Sequence, residues 1–195
     1  MADINTLTIG VEAINEKGKQ SSAYNNSWAM QNEISIFDER SVITKSLFIH
    51  DSLSLFNRIY FNAGGRIDDH DLFGSHKTWD ASASFIIPVT ETRLKTSAGT
   101  GFRSPSLYVL YDQNYGYKDL KPEKSYIYDA GIYQQIFNGF FSVDFTVFRQ
   151  EYRDMIEFVS SKYDNVDGKI KNKGAEVSAV LKPADILSVQ YGYTY

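Results

Sequence analysis

Apolar and polar residues alternate one by one along most of this chain. In residues 78–89, one set of alternate positions is apolar and consists of Trp79, Ala81, Ala83, Phe85, Ile87 and Val89. The positions between them are almost all polar. A period of two places the two sets on opposite faces of a β-strand. The same split recurs over residues 59–67 and 187–195.

The alternating runs are long enough to cross a lipid bilayer as strands. A tilted strand needs about 9–11 residues to span the hydrocarbon. The pattern predicts nine strands, at residues 6–15, 42–55, 59–68, 78–88, 92–102, 125–136, 140–156, 169–182 and 187–195. A soluble sandwich also alternates, but its strands are shorter and its outer face is polar. We therefore predict an all-β fold, an antiparallel transmembrane β-barrel segment of about nine strands.

The connections between the predicted strands alternate in length. The short ones are residues 56–58, 90–92, 138–139 and 183–185, and the long ones are residues 16–41, 69–77, 103–124 and 157–168. Asn138-Gly139 is typical of a type I′ hairpin turn, whose two central residues both need positive φ. Outer-membrane barrels have short periplasmic turns and long extracellular loops. We therefore expect the long connections to lie outside the cell.

The predicted polar face is unusually rich in charge for a barrel interior. Its charged residues are Glu12, Arg66, Lys95, Arg103, Asp129, Asp144, Glu176 and Lys182. A barrel of about eight strands is filled by close-packed side chains, whereas a wider lumen has room for water or a plug. Single-chain bacterial barrels also have an even number of strands, which nine is not. We therefore expect part of a larger barrel.

The composition limits which partners and which kinds of site the chain can have. The formal net charge of −4 provides no basic field, so we expect no nucleic-acid partner. Cysteine is absent, which excludes a disulfide framework and a thiolate metal site within this sequence. Aromatic residues make up 15% of the chain, which suits interfacial girdles, although aromatic residues favour any strand. The first residues lack the layout of a signal peptide, so we expect a segment of a longer protein.

Several motifs in the chain resemble those of the TonB-dependent outer-membrane receptors, most closely the cobalamin- and siderophore-receptor branch. Two of them flank the third long connection: GTGFRSPSLY at residues 99–108 and DLKPEKS at residues 119–125. The others are GRIDDH at 65–70 with FG at 73–74, YRDMI at 152–156 and NKGAE at 172–176. The motifs follow the order of the family and cover nearly the whole chain.

The resemblance implies a receptor for energy-coupled uptake of a scarce nutrient, in the outer membrane of a Gram-negative-type bacterium. The nutrient would be an iron–siderophore or cobalamin, with haem or a sugar as other choices. The implied partners are outer-membrane lipid, the plug domain of the same receptor and, through the N-terminal region, the inner-membrane TonB complex. Residues 1–195 would then be a partial barrel domain, with the plug and the C-terminal strands absent from this sequence.

The connection 103–124 carries the candidate ligand-binding residues. They are four tyrosines and two polar residues, with Gln113 as a further polar contact: Tyr108, Tyr111, Asp112, Asn114, Tyr115 and Tyr117. Tyrosine offers a bulky ligand a flat apolar surface together with a hydroxyl. The alternative is that some of these tyrosines belong to the extracellular aromatic girdle.

Metal binding and catalysis are both disfavoured by the sequence. Asp69 and Asp71 would converge at a strand end and are weak candidates for structural calcium, although a solvated strand end fits them better. We expect no other cofactor. The three histidines, His50, His70 and His76, accompany no G-x-S-x-G elbow, so an enzyme is not expected. A passive channel, an adhesin barrel and a soluble β-rich binding domain remain as alternatives.

Overall fold

The computed structural model describes residues 4–26, 31–184 and 186–195, and within these ranges the protein is almost entirely β-structure. Nine strands form one antiparallel sheet. They are β1 (Ile4–Asn26), β2 (Gln31–Leu55), β3 (Ile59–His70), β4 (Gly74–Ile86), β5 (Arg93–Arg103), β6 (Glu123–Ile136), β7 (Phe141–Arg153), β10 (Lys169–Ala184) and β11 (Leu187–Thr194). The strands β8 (Ile156–Val159) and β9 (Lys162–Asn165) pair as a separate hairpin. The prediction of a nine-stranded antiparallel sheet is confirmed.

Neighbouring strands in the sheet are also neighbours in the chain, apart from the inserted β8–β9 hairpin. Strands β1 and β11 lie at the two ends of this order. A short helix, α1 (Leu107–Tyr111), follows β5. Among the described residues, no helix has the length and apolar content needed to cross a membrane.

One face of the sheet is an apolar belt that stays exposed. Phe61 lies opposite Ala83, and Phe85 lies opposite Leu94. Farther along the sheet, Ile132 lies opposite Phe145. In the described residues only Phe37, Val42, Leu110 and Leu120 are buried apolar residues. A large apolar surface around so small a core indicates that lipid, and not another layer of the protein, covers this face.

The other face is polar and joined by ion pairs between strands. The Arg66 guanidinium bonds Glu12 at 2.6 Å and Asp68 at 2.8 Å. Lys95 of β5 pairs with Asp144 of β7 at 2.7 Å. These residues lie on the face opposite the belt, which is the face that the alternation predicted. The partners of the Lys95–Asp144 pair stay about one-third exposed, which limits their desolvation cost, and pairing offsets the part that remains.

Two of the predicted long connections are for the most part strand. The prediction of a loop over residues 16–41 is wrong, because β1 continues to Asn26 and β2 begins at Gln31. The loop predicted over residues 69–77 is likewise shortened, because β3 reaches His70 and β4 starts at Gly74. These extensions lack the apolar alternation of the belt. A ribbon that projects beyond the membrane pairs its backbone without needing a lipid-facing side.

The other two long connections keep their length and acquire local structure. Residues 103–124 contain α1, and residues 157–168 contain most of the β8–β9 hairpin. The type I′ turn predicted at residues 138–139 is wrong in detail. The last strand pair is Ile136 with Phe141, which leaves a four-residue connection with a 3-10 turn at Phe137–Gly139. Residue 185 of the last predicted turn lies outside the described residues.

Candidate ligand-binding site

The connection 103–124 folds back across the polar face of the sheet. Helix α1 follows β5 but contacts β2 and β1, which lie three and four strands away. Leu107 packs against Gly18 of β1, so closely that a Cβ atom at position 18 would lie 3.1 Å from the Leu107 side chain. Leu110 and Leu120 are among the most buried residues of the described chain. These apolar contacts hold the connection, here called the inner loop (residues 103–124), against the wall and not out in solvent.

Asp112 organises the turn that follows α1. Its backbone N–H donates to the Tyr108 carbonyl at 2.9 Å, which ends the helix. Its carboxylate accepts hydrogen bonds from the backbone N–H of Asn114 at 3.0 Å and of Tyr115 at 2.9 Å. Asp112 is only 4% exposed, so these bonds satisfy a carboxylate that burial would otherwise penalise.

A cavity of about 650 Å³ opens between the inner loop and β2. Its most distinctive feature is an aromatic ring flanked by cations. The Arg40 guanidinium carbon lies 5.1 Å from the centre of the Tyr111 ring, and the Lys118 ammonium lies 5.9 Å from it. Asp38, Asp112, Gln113, Tyr117 and Asp119 are the other polar side chains of the lining. The cavity is therefore open and polar, with two cations close to one tyrosine ring and the carboxylates of Asp38, Asp112 and Asp119 elsewhere in its lining.

A β-bulge shapes the β2 side of this cavity. The pairing of β1 with β2 shifts between Gly18 and Gln20, so that Lys19 lies opposite two residues of β2. A bulge of this kind bends the strand and changes the direction of the side chains beside it. Asp38 and Arg40 are located at this irregularity and both line the cavity.

An aromatic cluster joins the β8–β9 hairpin to the inner loop. Tyr115 meets Phe158 edge to face with ring centres 5.4 Å apart, and Phe158 meets Tyr163 at 5.3 Å. Tyr163 in turn meets Tyr108 at 5.9 Å, and its N–H donates to the Tyr115 carbonyl at 3.0 Å. Burial raises the pKa of the Tyr108 hydroxyl, which keeps that group neutral and able to donate a hydrogen bond.

The structure divides the six predicted ligand-binding residues into groups. Tyr111, Asp112 and Tyr117 line the 650 Å³ cavity, together with Gln113. Tyr108 lines a separate cavity of about 260 Å³, and Tyr115 belongs to the aromatic cluster. Asn114 is exposed on the turn that Asp112 organises. The binding role of all six stays a prediction.

Sequence reasoning missed the cations of the cavity. Lys118 stands beside Tyr117 and its charge was visible in the sequence. Arg40, and with it the lining residue Asp38, could not be placed in the site from the sequence. Both fall in the stretch that the pattern predicted as a separate loop, far from the inner loop in sequence.

The weak calcium candidates lie at the β3–β4 connection. Asp71 is bonded to β2, where its carboxylate accepts from the Ile43 N–H at 3.0 Å. Asp69 lies on the face of the belt, opposite Lys45. Within the described part of the chain, no three side chains of the kinds that bind metals come together. Calcium at Asp69 and Asp71 stays a weak prediction.

Comparison with known proteins identifies relatives of the whole sheet. Residues 4–195 match the family model described as TonB dependent receptor-like, beta-barrel. The chain is 27% identical over 183 residues to the vitamin B12 transporter BtuB of Vibrio vulnificus, covering 91% of this chain and 28% of that protein. Among solved structures, a ferric enterobactin receptor (PfeA) from Pseudomonas aeruginosa superposes with a TM-score of 0.78 and 22% identity, covering 100% of this chain and 33% of that one.

A second structure gives the same fold. The siderophore receptor PirA of Acinetobacter baumannii matches 98% of this chain with a TM-score of 0.77 and 19% identity. The chain covers 34% of that receptor, so it spans about a third or less of the relatives that it resembles.

Proposed function

The chain belongs to the TonB-dependent receptor β-barrel family, and from that premise we propose that it forms part of the wall of an outer-membrane receptor. The receptor takes up a scarce nutrient by an energy-coupled route, and this segment catalyses no reaction. The apolar belt faces the lipid of a Gram-negative outer membrane. The inner loop and the β8–β9 hairpin face the cell exterior.

The polar face supports the part of the proposal that concerns a plugged lumen. Its ion pairs, such as Lys95 with Asp144, leave both partners about one-third exposed. A surface of partly exposed pairs suits contact with water and with a polar plug domain of the same receptor. Movement of that plug by the inner-membrane TonB complex would supply the energy coupling.

The Tyr111 ring, with Arg40 and Lys118 both within 6 Å of its centre, is the observation that carries ligand binding. A ring flanked by two cations suits a bulky ligand that combines negative charge with a flat apolar surface. Iron–siderophore complexes of the catecholate type are anions with flat aromatic rings, and cobalamin, although neutral overall, has a phosphate beside flat ring systems. The relatives include a vitamin B12 transporter and a ferric enterobactin receptor, so these two molecules are the natural probes.

Uptake assays test the proposal on the full receptor that contains this chain. Cells that lack their own receptors for ferric enterobactin and cyanocobalamin would express it, with and without TonB. We expect uptake of one probe, and we expect that uptake to vanish without TonB. Equal uptake with and without TonB would support a passive channel instead.

Binding measurements locate the site. Tyr111→Ala removes the ring that lies beside the two cations, so we expect the affinity for the transported probe to fall by about tenfold or more, as for a central aromatic anchor. Tyr191→Ala is the matched control, because Tyr191 lies on the apolar belt opposite Ala179. If both variants lost affinity, or if neither did, Tyr111 would not be a specific part of the ligand-binding site.

A further inference from the structure

Strands β6, β7 and β10 carry a concentration of positive charge on the lipid-facing side of the sheet. The cations are Lys124, Arg149, Arg153, Lys169, Lys171 and Lys173, here called the basic patch. Strand pairing places them in three successive rows: Tyr128–Arg149–Lys173, Tyr126–Glu151–Lys171 and Lys124–Arg153–Lys169. Residues directly opposite each other share a face, so all nine side chains lie on one side of the sheet.

The rows of the basic patch continue directly from the apolar belt. The row immediately before them is Ala130–Val147–Ala175, and the row before that is Ile132–Phe145–Val177. Tyr126 and Tyr128 lie at the change from apolar to charged, as aromatic residues do at a membrane interface. Successive rows are about 7 Å apart, since a strand rises about 3.4 Å per residue. The patch therefore begins one step beyond the hydrocarbon boundary, at the level of lipid headgroups.

The protein itself supplies little negative charge to the patch. Glu151 bonds Arg153 at 2.7 Å and Lys169 at 3.3 Å, and it is the only acid in the three rows. Three pairs of like charge lie directly opposite each other: Arg149 with Lys173, Arg153 with Lys124, and Arg153 with Lys169. Directly opposed like charges destabilise a sheet. Lys124, Arg149, Lys171 and Lys173 form no ion pair with any described residue.

We propose that the basic patch binds the phosphate groups of an outer-leaflet lipid, the phosphorylated headgroup of lipopolysaccharide. Phosphates at the headgroup level complement a net charge of five, and the belt below accommodates the acyl chains. The inference rests on the proposed placement of this sheet in an outer membrane with the inner loop outside. It concerns the outer surface of the wall and is separate from the nutrient site on the polar face.

The test measures lipid binding to the full receptor by native mass spectrometry. The probes are lipid A with two phosphates and the same lipid with its phosphates removed. We expect Lys171→Gln with Lys173→Gln to weaken binding of the phosphorylated probe by about 30-fold, since a lysine near an anionic membrane contributes a factor of about five. Lys171→Arg with Lys173→Arg keeps the charge and should keep the affinity.

Lys45→Gln with Lys77→Gln is the matched control. Both lysines lie on the same face of the sheet, but Lys45 has Asp69 directly opposite and Lys77 has Ile67. Affinity should therefore remain within about twofold of the native value, as for isolated surface charges. Equal loss in both pairs of variants, or equal binding of the probe without phosphates, would overturn the proposal.

Failure of the lipid-binding proposal can be distinguished from failure of the proposed transport function. Uptake of ferric enterobactin or cyanocobalamin should be unchanged in Lys171→Gln with Lys173→Gln, because the patch lies outside the cavity. A receptor that transports neither probe yet binds phosphorylated lipid through these lysines would refute the proposed function alone. Heat-dependent gel migration confirms that each variant has folded, so that lost binding reports the patch itself.

Discussion

At the scale of single residues, the side of the sheet that a side chain occupies decides which substitutions are tolerated. Ala83 and Ser84 are neighbours in sequence but lie on opposite faces. Ala83 lies opposite Phe61 on the belt, whereas Ser84 lies opposite Tyr60 on the polar face. The same contrast applies to Val143, on the belt, and Ser142, on the polar face.

Arginine substitutions test this assignment. We expect Ala83→Arg in the full receptor to cost about 2–4 kcal/mol of folding free energy if the site is near the bilayer midplane, because the charge then faces hydrocarbon. Ser84→Arg should cost much less, since a wide lumen can hydrate the new charge. Val143→Arg and Ser142→Arg form a second matched pair. The measurement is urea-dependent folding into lipid vesicles, and equal costs within each pair would contradict the face assignment.

Asp112 is the second residue whose role is defined by its contacts. Asp112→Ala leaves the N–H groups of Asn114 and Tyr115 without the carboxylate, so we expect a local cost of about 1–2 kcal/mol. Amide hydrogen exchange at residues 113–116 should accelerate about 5- to 30-fold, while the melting temperature of the barrel stays the same. Asp112→Asn keeps an acceptor and should change exchange less. Faster exchange across β2–β5 would show that Asp112 supports the wall and not only the loop.

At the scale of elements, the strands extend well beyond the membrane at one end only. Strand β1 has 23 residues and β2 has 25, whereas a bilayer needs about 9–11 residues of tilted strand. The extra length lies at the end that carries the inner loop. The other end carries short connections, such as Phe56 to Arg58 between β2 and β3. This asymmetry predicts which end faces the outside.

Cysteine labelling tests that orientation. Cysteines introduced at Asn114 and Asp167 should react with an impermeant thiol reagent on intact cells, because both positions are exposed at the long-loop end. A cysteine at Val89, which is 91% exposed on a short turn, should react only after the cells are lysed. The chain has no native cysteine to interfere. The opposite pattern would mean that the barrel is inserted the other way round.

At the scale of the whole molecule, the described sheet is open. Strands β1 and β11 end the strand order and do not pair with each other in the part of the chain that the structure describes. An unpaired backbone N–H or C=O group in lipid costs several kcal/mol. With nine antiparallel strands, β1 and β11 run in the same direction, so direct closure would need one parallel seam. Pairing with further strands is the arrangement that satisfies both edges.

The 195-residue chain expressed alone tests that reasoning. We predict that it forms no stable pore, and that it aggregates or pairs edge to edge with a second copy. Planar-bilayer recordings should show no discrete, reproducible conductance. The full receptor, refolded in parallel, is the control for the procedure. Discrete conductance together with a heat-modifiable monomer band from the 195-residue chain would contradict the prediction.

The sequence alone determined the strands and their faces. A period of two over Trp79, Ala81 and Ala83 is that of a β-strand, so the alternating parts of the nine sheet strands and the direction of their side chains followed directly. The full lengths of β1 and β2 and the β8–β9 hairpin did not. The charged positions Arg66 and Lys95 were assigned to the polar face for the same reason. The family motifs around residues 99–108 and 119–125 then indicated the class of receptor.

Only the tertiary structure decided where the inner loop lies and what surrounds it. Apolar alternation arises where one face of a strand contacts lipid. Residues outside the membrane have no such contact, so the extensions of β1 and β2 lacked the alternation that predicts a strand. The cavity joins Tyr111 to Arg40, 71 positions earlier, through a bulge and a loop that crosses three strands. Such contacts depend on side-chain packing between distant segments, which no local pattern encodes. Alternation therefore predicts the wall, and packing across the polar face determines the site.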